Sequence, residues 1–238
     1  MTYHAMFDLT LSFDNGPEPD VTPKVLDILA RRNIKTTFFV IGEKLARSEC
    51  RKLAERARAE GHWIANHTYT HGAPLGQRKE PDVAELEIGR TQKVIGDLAH
   101  PKKFFRPNGG GGNLDKRLLR SDVADFLKTG GYTCVLWNAI PRDWADPDGW
   151  VDVAAAQCHS QWDTLKSWPL MVLHDLPTGA MRHLERFLDW VEEAAGEIRQ
   201  EFPPATTPIV EGIAVLPLDP YVTDGSAAKV GVNQTVFS

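Results

Sequence analysis

Phe7-Asp8-Leu9-Thr10-Leu11-Ser12-Phe13 runs without a break into Asp14-Asn15-Gly16-Pro17. The first seven residues alternate as a β-strand does. The next four stop it, because glycine permits a tight turn and proline fixes the exit. A strand that delivers a carboxylate into a turn sets the pattern for the whole chain. His62 to Asn66, Phe104-Phe105, Tyr132 to Trp137 and Leu170 to Leu173 also read as strands. Four of the five strands lead into a polar cluster at once: Asp14-Asn15-Gly16, His67 to His71, Arg106 to Asn113 and His174-Asp175; Asp143-Trp144 lies a few residues beyond the fifth. Thr36 to Ile41 is a further β-branched and aromatic run. Between the strands the period becomes helical, over Asp20 to Arg32, Glu43 to Glu60, Pro81 to Ala99, Leu114 to Lys128, Asp152 to Leu165 and Met181 to Gln200. Strands alternating with helices predict a parallel sheet. Polar residues gathered at strand ends predict that chemistry sits at the carboxyl edge of that sheet. The expected fold is α/β, a distorted (β/α) barrel with six to seven parallel strands.

Composition sets the limits. The 238 residues, 42% hydrophobic and 25% charged, suit one globular domain with a substantial core. A net charge of -5 argues against a nucleic-acid partner. No apolar run is long enough to predict a membrane span, and Met1 to Leu11 lacks the features of a secretory leader. The expectation is therefore a cytoplasmic protein with no membrane partner. Cys50, Cys134 and Cys158 are odd in number and widely spaced, as reduced thiols are. The expected division is a catalytic domain over 1–202 and an extended, proline-punctuated tail over 203–238. Such a tail suits wrapping around the barrel or, in a homo-oligomer, around a partner.

His67-Thr68-Tyr69-Thr70-His71 carries the sharpest chemical signal. In a helical turn, an i, i+4 pair shares one face, with Cβ atoms about 5–6 Å apart. Two imidazoles so placed can converge on one metal. Asp14 is either the head of an Asx turn or a general base at the barrel mouth. His174 either satisfies core hydrogen bonds or acts as a general acid toward a leaving amine. The glycines after Arg106 lack the Gly-Lys-Ser/Thr ending of a phosphate loop, but allow backbone N–H groups close to a ligand. Trp137, Trp144 and Trp150 lie near the same edge, where exposed indoles would stack on a sugar.

Taken in order, these clusters resemble the polysaccharide deacetylase family over roughly residues 7 to 195. Ser12-Phe13-Asp14-Asn15-Gly16-Pro17 is similar to the family's Thr-Phe-Asp-Asp-Gly-Pro, and His67 to His71 matches its second motif fully. Arg106-Pro107-Asn108-Gly109-Gly110 is similar to Arg-Pro-Pro-Tyr-Gly. Trp137 to Trp144 and Val172-Leu173-His174-Asp175 are similar to the fourth and fifth motifs. The resemblance implies a hydrolase of carbon–nitrogen, non-peptide bonds, removing an acyl group from an N-acetylated sugar or related amide with a metal-activated water. It implies Asp14 as base, His174 as acid, Arg106 orienting Asp14, and Asp143 anchoring Arg106. The Gly109 N–H would hold the oxyanion, while Trp137, Trp144 and Leu173 would contact substrate, Leu173 at the acyl methyl. His67, His71 and Asn15 would hold a divalent metal, with zinc the first expectation. Asn15, Gly109 and Ile140 replace an aspartate, a tyrosine and an aspartate of the family pattern. A neutral amide is the poorer zinc ligand, so the site should bind metal more loosely. Two alternatives stay open: a metal-independent hydrolase of cyclic imides or allantoin-type amides, and a non-catalytic carbohydrate-binding barrel.

Overall fold

A computed structural model describes residues 7–165 and 167–223. The opening stretch forms β1 (Phe7–Asp14), almost wholly buried. Its alternation sorts two environments. Leu9, Leu11 and Phe13 join the main hydrophobic core, whereas Ser12 and Asp14 meet the guanidinium of Arg106. After α1 (Thr22–Arg31), whose Val25, Leu26 and Leu29 turn inward, β2 (Thr37–Val40) lies parallel to β1. The charged stretch that follows is two helices, α2 (Gly42–Leu45) and α3 (Ser48–Ala59), before β3 (Trp63–Asn66). The helix expected over 81–99 is interrupted by a π-helical turn, Glu85–Gly89, ahead of α4 (Arg90–Ile95).

β4 (Phe104–Phe105) is followed by a short β5 (Leu119–Arg120) and α5 (Ser121–Thr129). The helix expected from Leu114 thus begins seven residues late. Asp115 accepts hydrogen bonds from the Arg117 backbone and side chain, a local pairing that competes with the helix. β6 is Thr133–Cys134 rather than 132–137, because beyond Val135 the backbone turns away to bond Thr206. α6 (Trp150–Leu165) and β7 (Leu170–His174) follow. The long final helix divides: α7 (Leu184–Glu193) ends at Ala195, whose φ of 56° is left-handed, and Gly196–Arg199 becomes β8, parallel to β1. Thr10 pairs with Leu170 and Arg199 on opposite edges, so β8 and β2 share one edge of β1 in succession.

The parallel strands run β6-β4-β3-β2-β1-β7, with β8 beside β1. Among the described residues no strand ladder completes the ring. A single bridge, Ala139 to Met171, spans the gap between the chain after β6 and β7, which makes the barrel a distorted one. The segment expected as a tail contributes β9 (Ile209–Val210), antiparallel to β6, then β10 (Ile213–Ala214) and β11 (Val222–Thr223), which pairs with β5. Residues 224–238 of that tail lie outside the described residues. Here no helix is long and apolar enough to cross a membrane, and all three cysteines are free and buried.

Candidate active site

Three strands present their last or next residue, and a fourth the loop that follows it, to one cavity of about 260 Å³. Asp14 ends β1, His174 ends β7, His67 follows β3, and the loop after β4 brings Pro107, Gly109, Gly111 and Gly112. Asn15, His71, Trp137, Ile140, Trp144, Val172 and Leu176 complete the lining.

Arg106 lies beneath this cavity and is 0% exposed. Its Nη1 donates to Asp14 Oδ1 at 2.6 Å and to Ser12 Oγ at 2.9 Å, and its guanidinium stacks on Phe39. One Asp14 oxygen is thereby fixed. The other, Oδ2, faces His67 Nε2 at 3.5 Å. Asp143 serves the opposite wall. Its Oδ1 accepts from His174 Nδ1 at 2.8 Å and its Oδ2 accepts from the His174 backbone N–H at 2.9 Å. Asp143 therefore anchors His174 and makes no bond to Arg106, which corrects the role expected of it. With Nδ1 carrying that proton, His174 turns Nε2 to the cavity, and Trp144 packs edge-on against the ring.

The two-histidine segment is not a helical turn. Thr68 and His71 have φ of 66° and 50°, so the loop doubles back and sets the imidazoles 4.9 Å apart between centroids. His67 Nδ1 donates to the Arg106 carbonyl at 2.9 Å, which leaves Nε2 as a lone-pair donor. Burial pushes both His67 and His71 down to about 3, so both are neutral near pH 7, as metal ligation requires. Asn15 lines the same wall, and its buried Oδ1 has no hydrogen-bond partner among the described residues. Two neutral imidazoles and an orphaned amide oxygen fit a divalent cation. The described residues hold no cluster of three His, Cys, Asp or Glu side chains for the purpose.

Leu173 does not touch the cavity. It lies in the main core at 0% exposure, while its neighbours Val172 and His174 line the site. Alternation along β7 forces this, since adjacent strand residues face opposite ways. Val172 and Leu176 hold the apolar place expected of Leu173. Trp150 is likewise a core residue, its indole N–H bonded to Ala180 O at 3.0 Å. Gly109 is required by contact rather than by dihedral. A Cβ there would come within 2.8 Å of the Trp137 ring. Gly16 is required similarly, by the Asp175 carboxylate packed against it.

The mostly parallel sheet, with a carboxylate and an imidazole held by separate buried partners at its carboxyl edge, defines a hydrolase-type α/β site. A family profile described as polysaccharide deacetylase matches residues 7–125. A chitooligosaccharide deacetylase of Rhizobium leguminosarum bv. phaseoli is 35% identical over 170 residues, covering 70% of this chain and 67% of that one. A peptidoglycan-N-acetylglucosamine deacetylase of Bacillus cereus is 33% identical over 141 residues, covering 58% of this chain and 61% of its own. The chain belongs to the polysaccharide deacetylase family. The fold agrees with the crystal structure of the Bc1960 peptidoglycan N-acetylglucosamine deacetylase, with a TM-score of 0.67 at 23% identity over 87% of this chain and 91% of that one. It agrees equally with a protein described as a CE4 family pseudoenzyme from Bacillus anthracis, with a TM-score of 0.65 at 17% identity over 82% of this chain and 64% of that one. The fold alone therefore does not decide catalysis, and the residues of the cavity must.

Proposed function

We propose that this chain removes the acetyl group from an N-acetylated sugar, releasing acetate and the free amine. The observation that carries the reading is the pairing of Asp14 and His174 across one cavity, each fixed by its own buried partner. A mere binding surface has no use for that arrangement.

The residues divide the work by position. Asp14 Oδ2, the oxygen free of Arg106, accepts the proton of the attacking water as its oxygen bonds to the acetyl carbon. The Gly109 N–H, which makes no hydrogen bond among the described residues and belongs to a residue lining the cavity, would donate to the oxygen that gains charge. His174 delivers a proton from Nε2 to the sugar nitrogen as the C–N bond breaks, while Asp143 balances the imidazolium. Val172, Leu176 and the Trp137 ring enclose the acetyl methyl, and the Trp144 face is placed for the sugar ring. His67 and His71, with Asn15 Oδ1, would hold a divalent cation, with zinc the first candidate, and that ion would supply Lewis-acid polarisation.

The test is acetate release from N-acetylglucosamine oligomers, run beside a cyclic imide and with elemental analysis of the purified protein. Acetate release that a chelator abolishes is the expected result. Imide turnover that survives chelation would transfer the site to the metal-independent alternative. Binding of oligomers with no turnover in added zinc would make it a binding barrel.

A further inference from the structure

The loop between His67 and His71 carries two left-handed residues, one of them the β-branched Thr68. Such a backbone persists only where its surroundings over-determine it. Its hydrogen bonds can be accounted for group by group. The Thr68 N–H donates to Asn66 Oδ1 at 3.1 Å, and the His71 N–H to Thr68 Oγ1 at 3.2 Å. The Thr68 and Tyr69 carbonyls accept from the amides of Gly42 and Glu43, each at 3.0 Å. The two middle amides remain, and both are taken by one side chain. Glu87 Oε2 accepts from Tyr69 N at 2.8 Å and from Thr70 N at 2.9 Å.

The other Glu87 oxygen accepts from Thr70 Oγ1 at 2.7 Å and from Arg78 Nη1 at 3.0 Å. A carboxylate 2% exposed with four donors is costly to build, and Glu87 is not among the residues that line the cavity. It stands within the π-helical turn Glu85–Gly89, the interruption of the helix expected there, and such turns recur beside functional sites. We propose that Glu87 is the positioning residue of the metal loop, fixing the Tyr69 and Thr70 amides so that His67 and His71 face one divalent cation. The inference rests on the metal reading given above.

Zinc titration by calorimetry on the metal-stripped chain provides the test, with melting temperature measured alongside. Partners of metal ligands typically alter affinity by about 10–100-fold. Glu87→Ala should weaken zinc binding by at least about tenfold. Glu87→Gln should recover part of that loss, since its amide oxygen can still accept from both amides. Val83→Ala truncates a fully buried apolar side chain that bonds none of the loop amides, and should lower the melting temperature while leaving the zinc Kd unchanged. Thr70→Val, which removes a single bond to Glu87, keeps the test open if Glu87→Ala does not fold, and should cost a few-fold. Wild-type affinity in the Glu87 variants, or an equal loss in Val83→Ala, overturns the proposal. A wild-type chain that takes up no zinc overturns the metal reading itself. Amide exchange at Tyr69 and Thr70 then decides the loop assignment, which fails if Glu87→Ala leaves their protection unchanged.

Discussion

Asp14 and His174 are each held at one atom and free at another, and this geometry fixes what their substitution does. Asp14→Asn should lower turnover by about 10²-fold or more, as loss of a general base does, with little change in melting temperature. His174→Ala should do the same through the acid, and near-normal turnover in either variant would remove that residue from its role. Asn15 poses a different question. Its Oδ1 is buried without a partner among the described residues, and its residue lines the same cavity as His67 and His71. Asn15→Asp should tighten zinc binding, because a charged oxygen attracts a dication more strongly than a neutral one. Calorimetry checks this, and an unchanged Kd would mean that the side chain at 15 is not a ligand.

Strand alternation governs the next level. Leu173 and Val172 are neighbours in β7, yet one faces the core and the other the cavity. Leu173→Ala should cost about 2–5 kcal/mol of folding stability, as buried leucine truncations do, and leave KM unaltered. Val172→Ala should shift KM or kcat with a smaller stability loss. A reversed pattern in denaturant midpoints and kinetics would mean that β7 is turned over. The period of two was legible in Leu170 to His174, so the outward place of Leu173 could have been read from the chain itself. The strand ends were legible for the same reason, and Asp14, His67, His71, Arg106 and His174 do meet. What could not be read depended on contacts distant in sequence. Nothing near Gly196 announces a strand, because its pairing partner is Phe7, at the other end of the domain. Helical spacing suggested a turn over His67 to His71, whereas the loop is shaped by Glu87, sixteen residues further along the chain.

On the scale of the molecule, a buried carboxyl ties the fold's stability to pH. Asp175 is 0% exposed, accepts a hydrogen bond from Thr22 Oγ1, and leaves its Oδ1 without a partner among the described residues. Burial raises it from 3.8 to about 7. Between those values the folded chain keeps a proton that the unfolded chain has released, so this group's contribution to stability falls as pH rises through the window. Asp175→Asn cannot titrate. Its melting temperature should gain on wild type from about pH 4 to about pH 7 and then run parallel, whereas a gap constant with pH would discount Asp175 as the source. The same closeness of packing bears on how such a chain can diverge. The Trp137 ring occupies the volume that a side chain at position 109 would need. A lineage bearing tyrosine at 109 cannot be reached from this sequence by that replacement alone. Trp137 must move or shrink first. The two positions are coupled by epistasis, so which replacement this chain tolerates first is set by the volume of one indole.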